Sequence, residues 1–166
     1  MNLFEKKTYE STIELKESLG KKSFLLGEDI AESNQFIKIS HSLIEVGFIY
    51  DDLGLEPQMY ISTNSNKVFL GINSLSVCID SANLSVSFEE NLPSLLYEIM
   101  IDPNAKYIVF ICELDILVYK SSGSLLWHIG FRNIVKDYYL KRNDSIVIEC
   151  EDGDITIFSL ESGKIK

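Results

Sequence analysis

From about residue 36 onward, short runs of Ile, Val, Phe and Tyr alternate with clusters of turn residues, the signature of successive strands. The pattern predicts strands over 36–40, 43–50, 58–62, 67–72, 75–79 and 84–88. In the second half it predicts a meander over 107–112, 115–119, 125–129, 134–140, 145–150 and 154–160. The meander's turns fall at Ser122-Gly123, Arg142-Asn143-Asp144, Asp152-Gly153 and Ser162-Gly163. Asp-Gly between alternating apolar runs favours a tight hairpin because both residues tolerate positive φ. Two segments carry a helical signal. Leu92, Leu95, Leu96, Ile99 and Met100 recur at i, i+3, i+4, i+7 and i+8, with Asn91 placed to cap and Pro93 near the first turn. Ser11 and Glu14 have capping-box spacing ahead of Gly20, although Tyr9, Ser11, Ile13 and Leu15 alternate as a strand would.

A repeat underlies the strands. The runs beginning at Leu75, Ile116 and Ile155 each follow an earlier strand across a bend and precede a turn residue, at spacings of 41 and 39 positions. A period near 40 is that of propeller blades. The stretch Ile116-Leu117-Val118-Tyr119-Lys120-Ser121-Ser122-Gly123-Ser124-Leu125-Leu126-Trp127, with its echo from Ile155 to Lys164, resembles a quinoprotein-like propeller repeat, in which a strand is followed by a Gly turn and a strand carrying Trp. The resemblance covers roughly residues 107–166. It implies a small propeller-like array; quinone binding is not carried over, because a single unit carries the Trp. The expected fold is therefore mostly β within one domain, 1–166. It is an antiparallel meander forming a β-sandwich or strongly bent sheet, with a small propeller-like array as the alternative and one or two short helices.

Composition fits that domain: 166 residues, 46% hydrophobic and 24% charged, are enough to bury a full core without metals or disulfides. Charge adds a second pattern. Between Glu28 and Tyr119 stand fourteen carboxylates against three lysines (Lys38, Lys67, Lys106) and no arginine, while the flanking segments are nearly neutral, so the formal charge of −10 lies in one stretch. Such a chain, with two arginines in all, cannot supply the phosphate-neutralising surface that nucleic acid or an anionic membrane requires. The segment Met1-Asn2-Leu3-Phe4-Glu5-Lys6-Lys7 reaches charge too early for a signal peptide, and the longest apolar run, Tyr107 to Cys112, is far short of the roughly 20 residues that span a bilayer. A soluble cytoplasmic chain is expected, with Cys78, Cys112 and Cys150 reduced in the core.

Motifs for chemistry are sparse. The nine glycines include no pair two residues apart, which excludes a dinucleotide fingerprint, and Gly20-Lys21-Lys22-Ser23 lacks the glycine that a phosphate loop needs five positions earlier. His41 reads as a turn residue; Trp127 and His128 must point to opposite faces of their strand, with Trp127 inward. Glu149 and Glu151 share a strand face next to Asp152 and Asp154, an oxygen-rich corner that is a weak candidate for a hard cation. Asp51 and Asp52, and Glu113 with Asp115, flank turns inside the acidic stretch and are the candidate partner-binding residues.

These features predict a non-catalytic acidic binding protein without a cofactor. The overall character resembles the small acidic immunity proteins with which bacteria cover the basic active site of a toxin, which implies a basic protein partner. A structural or interaction module of a larger assembly and a divalent-cation-binding protein are the alternatives. If docking explains the charge, the acids must gather on one side of the sheets.

Overall fold

The computed structural model describes residues 4–28, 30–62, 64–142 and 144–166. The expectations that touch Met1 to Leu3, Asp29 and Asn143 lie outside these residues. Among the described residues fifteen strands form four small sheets, accompanied by one helix. The first sheet has the order β1-β3-β4-β2, built from β1 (Glu5–Tyr9), β2 (Ser23–Leu26), β3 (Gln35–Ser40) and β4 (Glu45–Tyr50). The second is the meander β5 (Gln58–Ser62), β6 (Lys67–Ile72), β7 (Leu75–Asp80) and β8 (Val86–Asn91). The third repeats it with β9 (Leu96–Ile101), β10 (Tyr107–Cys112), β11 (Asp115–Lys120) and β12 (Leu125–Gly130), and the fourth has β13 (Val135–Lys141), β14 (Ser145–Cys150) and β15 (Ile155–Ser159). The forty-residue repeat is this succession: Leu75, Ile116 and Ile155 all lie at the start of a sheet's third strand.

The sheets stack face to face in chain order. Ile37, Val46 and Phe48 of the first sheet meet Val68, Leu70 and Val77 of the second in one buried cluster. Phe69 and Cys78 on the second sheet's other face meet Ile108, Phe110 and Tyr119 of the third. Val109, Ile116 and Val118 on the reverse of the third meet Ile146, Ile148 and Phe158 of the fourth. The middle sheets are thus buried on both faces, so β10 is apolar at every position instead of alternating. Gly71 permits a close approach between sheets, since a Cβ there would lie 2.2 Å from Leu96 Cδ2 of the next sheet. Among the described residues no buried cluster joins the fourth sheet back to the first. The fold is mostly β and, of the arrangements the sequence leaves open, it takes the small propeller-like array.

One of the two helical signals forms. Helix α1 (Thr12–Ser18) is capped by Ser11, whose Oγ accepts from the Glu14 N–H, while Glu14 Oε2 accepts from the Glu10 N–H. It buries Leu15 against the outer face of the first sheet, where a Cβ on Gly47 would touch Leu15, Leu19 and Leu25. It also explains why β2 runs parallel to β4, unlike every other neighbouring pair among the described residues: the chain crosses that face as a helix before returning. The other signal is corrected, because residues 96–101 are strand β9. A bulge opposite Ile111 and Cys112 shifts the register by one. Leu96, Ile99 and Ile101 therefore face the second sheet's cluster while Tyr97 and Met100 face the fourth's. A bulged strand buried on both faces imitates the i, i+3, i+4 spacing of a helix.

Candidate partner-binding face

Because the sheets are stacked meanders, all strand ends and connections collect at two opposite ends of the array. At one end lie the β6–β7, β10–β11 and β14–β15 turns and the connections between sheets. Hydrogen bonds stitch this end together from sheet to sheet. Asn34 Oδ1 accepts from the Asp52 N–H, and Asn73 Nδ2 donates to the Asp51 carbonyl at 2.9 Å. The Leu96 N–H donates to the Asn73 carbonyl at 2.7 Å. The Glu113 N–H donates to the Leu95 carbonyl, the Val135 N–H to the Glu113 carbonyl, and the Glu151 N–H to the Ile134 carbonyl.

The candidate acids belong to this end, in different states. Asp52 is exposed, and its Oδ1 accepts from the Gly54 N–H at 2.9 Å. Asp51 and Glu113 are half-buried. Asp115 is 6% exposed, with both carboxylate oxygens occupied: Ser94 Oγ donates to Oδ2 at 2.6 Å and His128 Nε2 lies 2.7 Å from Oδ1. Ser94 Oγ also accepts from the Leu114 N–H at 3.0 Å. Asp115 thereby pins the connection entering the third sheet to the β10–β11 turn and to β12, and is a structural tie rather than a docking side chain. The carboxylate stands between the hydroxyl and the imidazole, so His128 is not placed to take the Ser94 proton, as a nucleophilic relay requires.

Glu28, Glu89, Glu90, Glu151, Asp152 and Asp154 lie exposed at the same end. Glu90 Oε2 accepts from the hydroxyl of buried Tyr119 at 3.2 Å, and burial together with that carboxylate raises the phenol's pKa. The Tyr97 hydroxyl is pushed up by burial and by the negative field of Glu113 and Glu151. Burial, with Glu56 and Asp52 added, pushes Tyr50 up to about 12. Among the described residues Glu28, Glu89, Glu90, Glu151, Asp152 and Asp154 form no ion pair with Lys or Arg, whereas exposed Glu56, in the connection from the first sheet to the second, pairs with Lys6. Arg132 and Lys136 are also found here: Arg132 lines a hollow with Asp152 and Asp154, and Lys136 is held by Glu149 at 2.9 Å.

That last contact bears on the cation corner. Glu149 turns to Lys136, Asn133 Nδ2 donates to Asp152 Oδ2, and Asp152 Oδ1 accepts from the Asp154 N–H. Among the described residues no three His, Cys, Asp or Glu side chains are grouped as metal ligands. Trp127 is inward as expected, with its Nε1 donating to the Leu160 carbonyl at 2.8 Å and its ring near Phe158. All three cysteines are buried, and desolvation raises Cys78 to about 11 and Cys112 to about 12, unreactive values.

Ser94, His128, Asn73 and Asn133 escape a sequence reading made acid by acid. A signal for two of them exists: Ser94 and Asn133 are 39 positions apart, each in the connection entering a sheet, and each bonds an aspartate of that sheet's second turn. The repeat extended from apolar to polar loop positions would pair them.

No protein-family model matches the chain, and no curated protein matches it. Solved structures do. It is similar to the β-propeller domain of Cps50 (Swd1) from Myceliophteria thermophila, with a TM-score of 0.51 and 9% identity over 68% of this chain. It is also similar to the computationally designed protein Ika4, with a TM-score of 0.51 and 14% identity over 66% of this chain and 68% of that one. The chain spans 38% of the Cps50 domain's length. At these identities the likeness concerns fold alone: stacked blade-like sheets, in agreement with the resemblance of residues 107–166 to propeller repeats. Among the described residues no helix is long and apolar enough to cross a membrane.

Proposed function

We propose that this chain is a non-catalytic interaction module that docks a basic protein against the acid-rich end of its array. The observation that carries the reading is the segregation of charge along the strand direction: Asp52, Glu89, Glu90, Glu113, Glu151 and Asp152 share one end. Unpaired carboxylates at the surface lose no partner on docking and present a field that speeds encounter with a cation. The propeller-like array supports the reading, because its strands are consumed in packing and its connections are left to form an end surface. The finer reading, an immunity protein that covers the basic active site of a toxin, rests on the same acids.

Affinity capture from the native cell at low and at raised salt tests the proposal. A basic protein retained at low salt, released as the Debye length falls below about 8 Å, and not retained by an Asp52→Lys/Glu113→Lys chain is the expected result. A partner retained equally by both chains would remove the acidic end from the account. If the captured protein is a nuclease or other toxic enzyme, its inhibition at stoichiometric chain decides for the immunity reading, and full activity in the complex decides against it.

A further inference from the structure

We propose that the outer face of the fourth sheet is a self-association surface that takes a second copy of this chain about a two-fold axis. The terminal sheets of the array are treated differently. The first has its outer face covered by α1, with Leu15 fully buried against Gly47. The fourth has no element over the corresponding face among the described residues. Strand alternation with one solvated face calls for polar residues there. Yet the cross-strand row at its centre is Tyr139, Val147 and Ile157, with Ile155 beside it. Tyr139 is 53% and Ile155 63% exposed, flanking Val147, which is buried at 3% exposure, and half-buried Ile157.

Charge selects the occupant and its orientation. At one end of the face the row Lys141, Ser145 and Ser159 is flanked by Arg142 and by Lys166, the latter paired with Asp144. At the other end the row is Asp137, Glu149 and Ile155; Glu149 is paired with Lys136, which leaves Asp137 as its unpaired acid among the described residues. A two-fold axis lying between two such faces and parallel to the Tyr139–Val147–Ile157 row reverses the strand direction of the second copy. Lys141 of each chain then meets Asp137 of the other, while the row of Tyr139 and Ile157 meets itself; an axis along the strands would set like charges together. The face is self-complementary in the way an isologous contact requires. It repeats the sheet-on-sheet packing of the three interfaces inside the chain. It does not use the acid-rich end, so it stands or falls separately from the proposed function.

Sedimentation of the whole chain at roughly 100 µM, where a micromolar contact is nearly saturated, should give twice the 18.9 kDa chain mass. Tyr139→Lys should raise the dissociation constant at least about tenfold with the melting temperature unchanged, because the residue is a surface aromatic. Lys141→Glu and Asp137→Lys should each weaken the pair, and mixing these two variants should restore a dimer containing one of each. A wild-type chain that sediments as a monomer, or a dimer indifferent to Tyr139→Lys, overturns the proposal. A dimer lost in Tyr139→Lys but not re-formed by mixing the charge variants overturns the two-fold arrangement.

Discussion

The two ends of the array are built from the same kinds of turn, yet they handle charge oppositely. At the end formed by the β5–β6, β9–β10, β11–β12 and β13–β14 turns, acids are neutralised locally: Asp80 lies 3.5 Å from Lys67, Asp144 2.5 Å from Lys166 and Glu161 3.9 Å from Lys106. Asp102 is buried there and accepts backbone N–H bonds from Asn104, Lys106 and Tyr107. At the opposite end Glu56 is paired with Lys6 and Glu149 with Lys136, but Glu28, Glu89, Glu90, Glu151, Asp152 and Asp154 have no ion-pair partner among the described residues. Turn chemistry alone would distribute acids to both ends alike. The difference lies in where lysine is withheld, and it is invisible in a net charge.

The contrast separates acids that build the fold from acids that face outward, and the largest expected effect comes from confusing the two. Asp115→Ala should cost about 3 kcal/mol in chemical denaturation, because Ser94 and His128 lose their shared buried acceptor. Asp52→Ala, a few residues of loop away from the core at the same end, should stay within about 0.5 kcal/mol. Equal losses would erase the distinction. Next, Asp52, Glu89 and Glu113 changed together to lysine should slow association with a basic partner by about tenfold to a hundredfold at low salt, while lysine at Glu5 and Glu161 leaves it within a factor of about two. Stopped-flow rates at two ionic strengths read this directly.

The smallest effect is on pH dependence. Asp80 is held below 3.8 by the Ala82 N–H first and then by Lys67; Asp144 is held below it by Lys166 and Ser145. A carboxylate whose folded pKa is lowered contributes stability in full above its unfolded value, and loses it as pH falls through the lower folded one. An Asp80→Asn/Asp144→Asn chain should therefore melt slightly less steeply with acidification below about pH 4 than the natural chain, the effect being limited by solvent screening of exposed pairs. Identical acid limbs would show that these ion pairs contribute nothing.

Much of the array is written locally. Strands 58–62, 67–72, 107–112 and 145–150 coincide in the sequence pattern and the structure, because continuous apolar runs bounded by polar turns suit sheets buried on both faces. The failures have tertiary causes. Strand β9 hides behind a bulge, and β1, Glu-Lys-Lys-Thr-Tyr, is an edge strand whose polarity gives no alternation to detect. Strand β2 pairs in parallel only because α1 carries the chain across a sheet face. At the candidate site Asp52 and Asp115 look alike in sequence, two turn-flanking aspartates in an acidic stretch. Their fates differ because Ser94, 21 positions before Asp115, and His128, 13 after it, fold onto its carboxylate. The gathering of acids at one end follows from meander topology, which fixes the direction of every strand once the sheets stack.

Zero-length carbodiimide cross-linking to an octalysine peptide, read by mass spectrometry, tests that gathering most directly. It couples only carboxylates that the bound cation touches. Adducts concentrated on Asp52, Glu89, Glu90, Glu113, Glu151 and Asp152, and suppressed by salt, are the expected result. Adducts spread evenly over both ends, or concentrated on Glu5, Asp80, Asp144 and Glu161, would contradict a docking face at the acid-rich end.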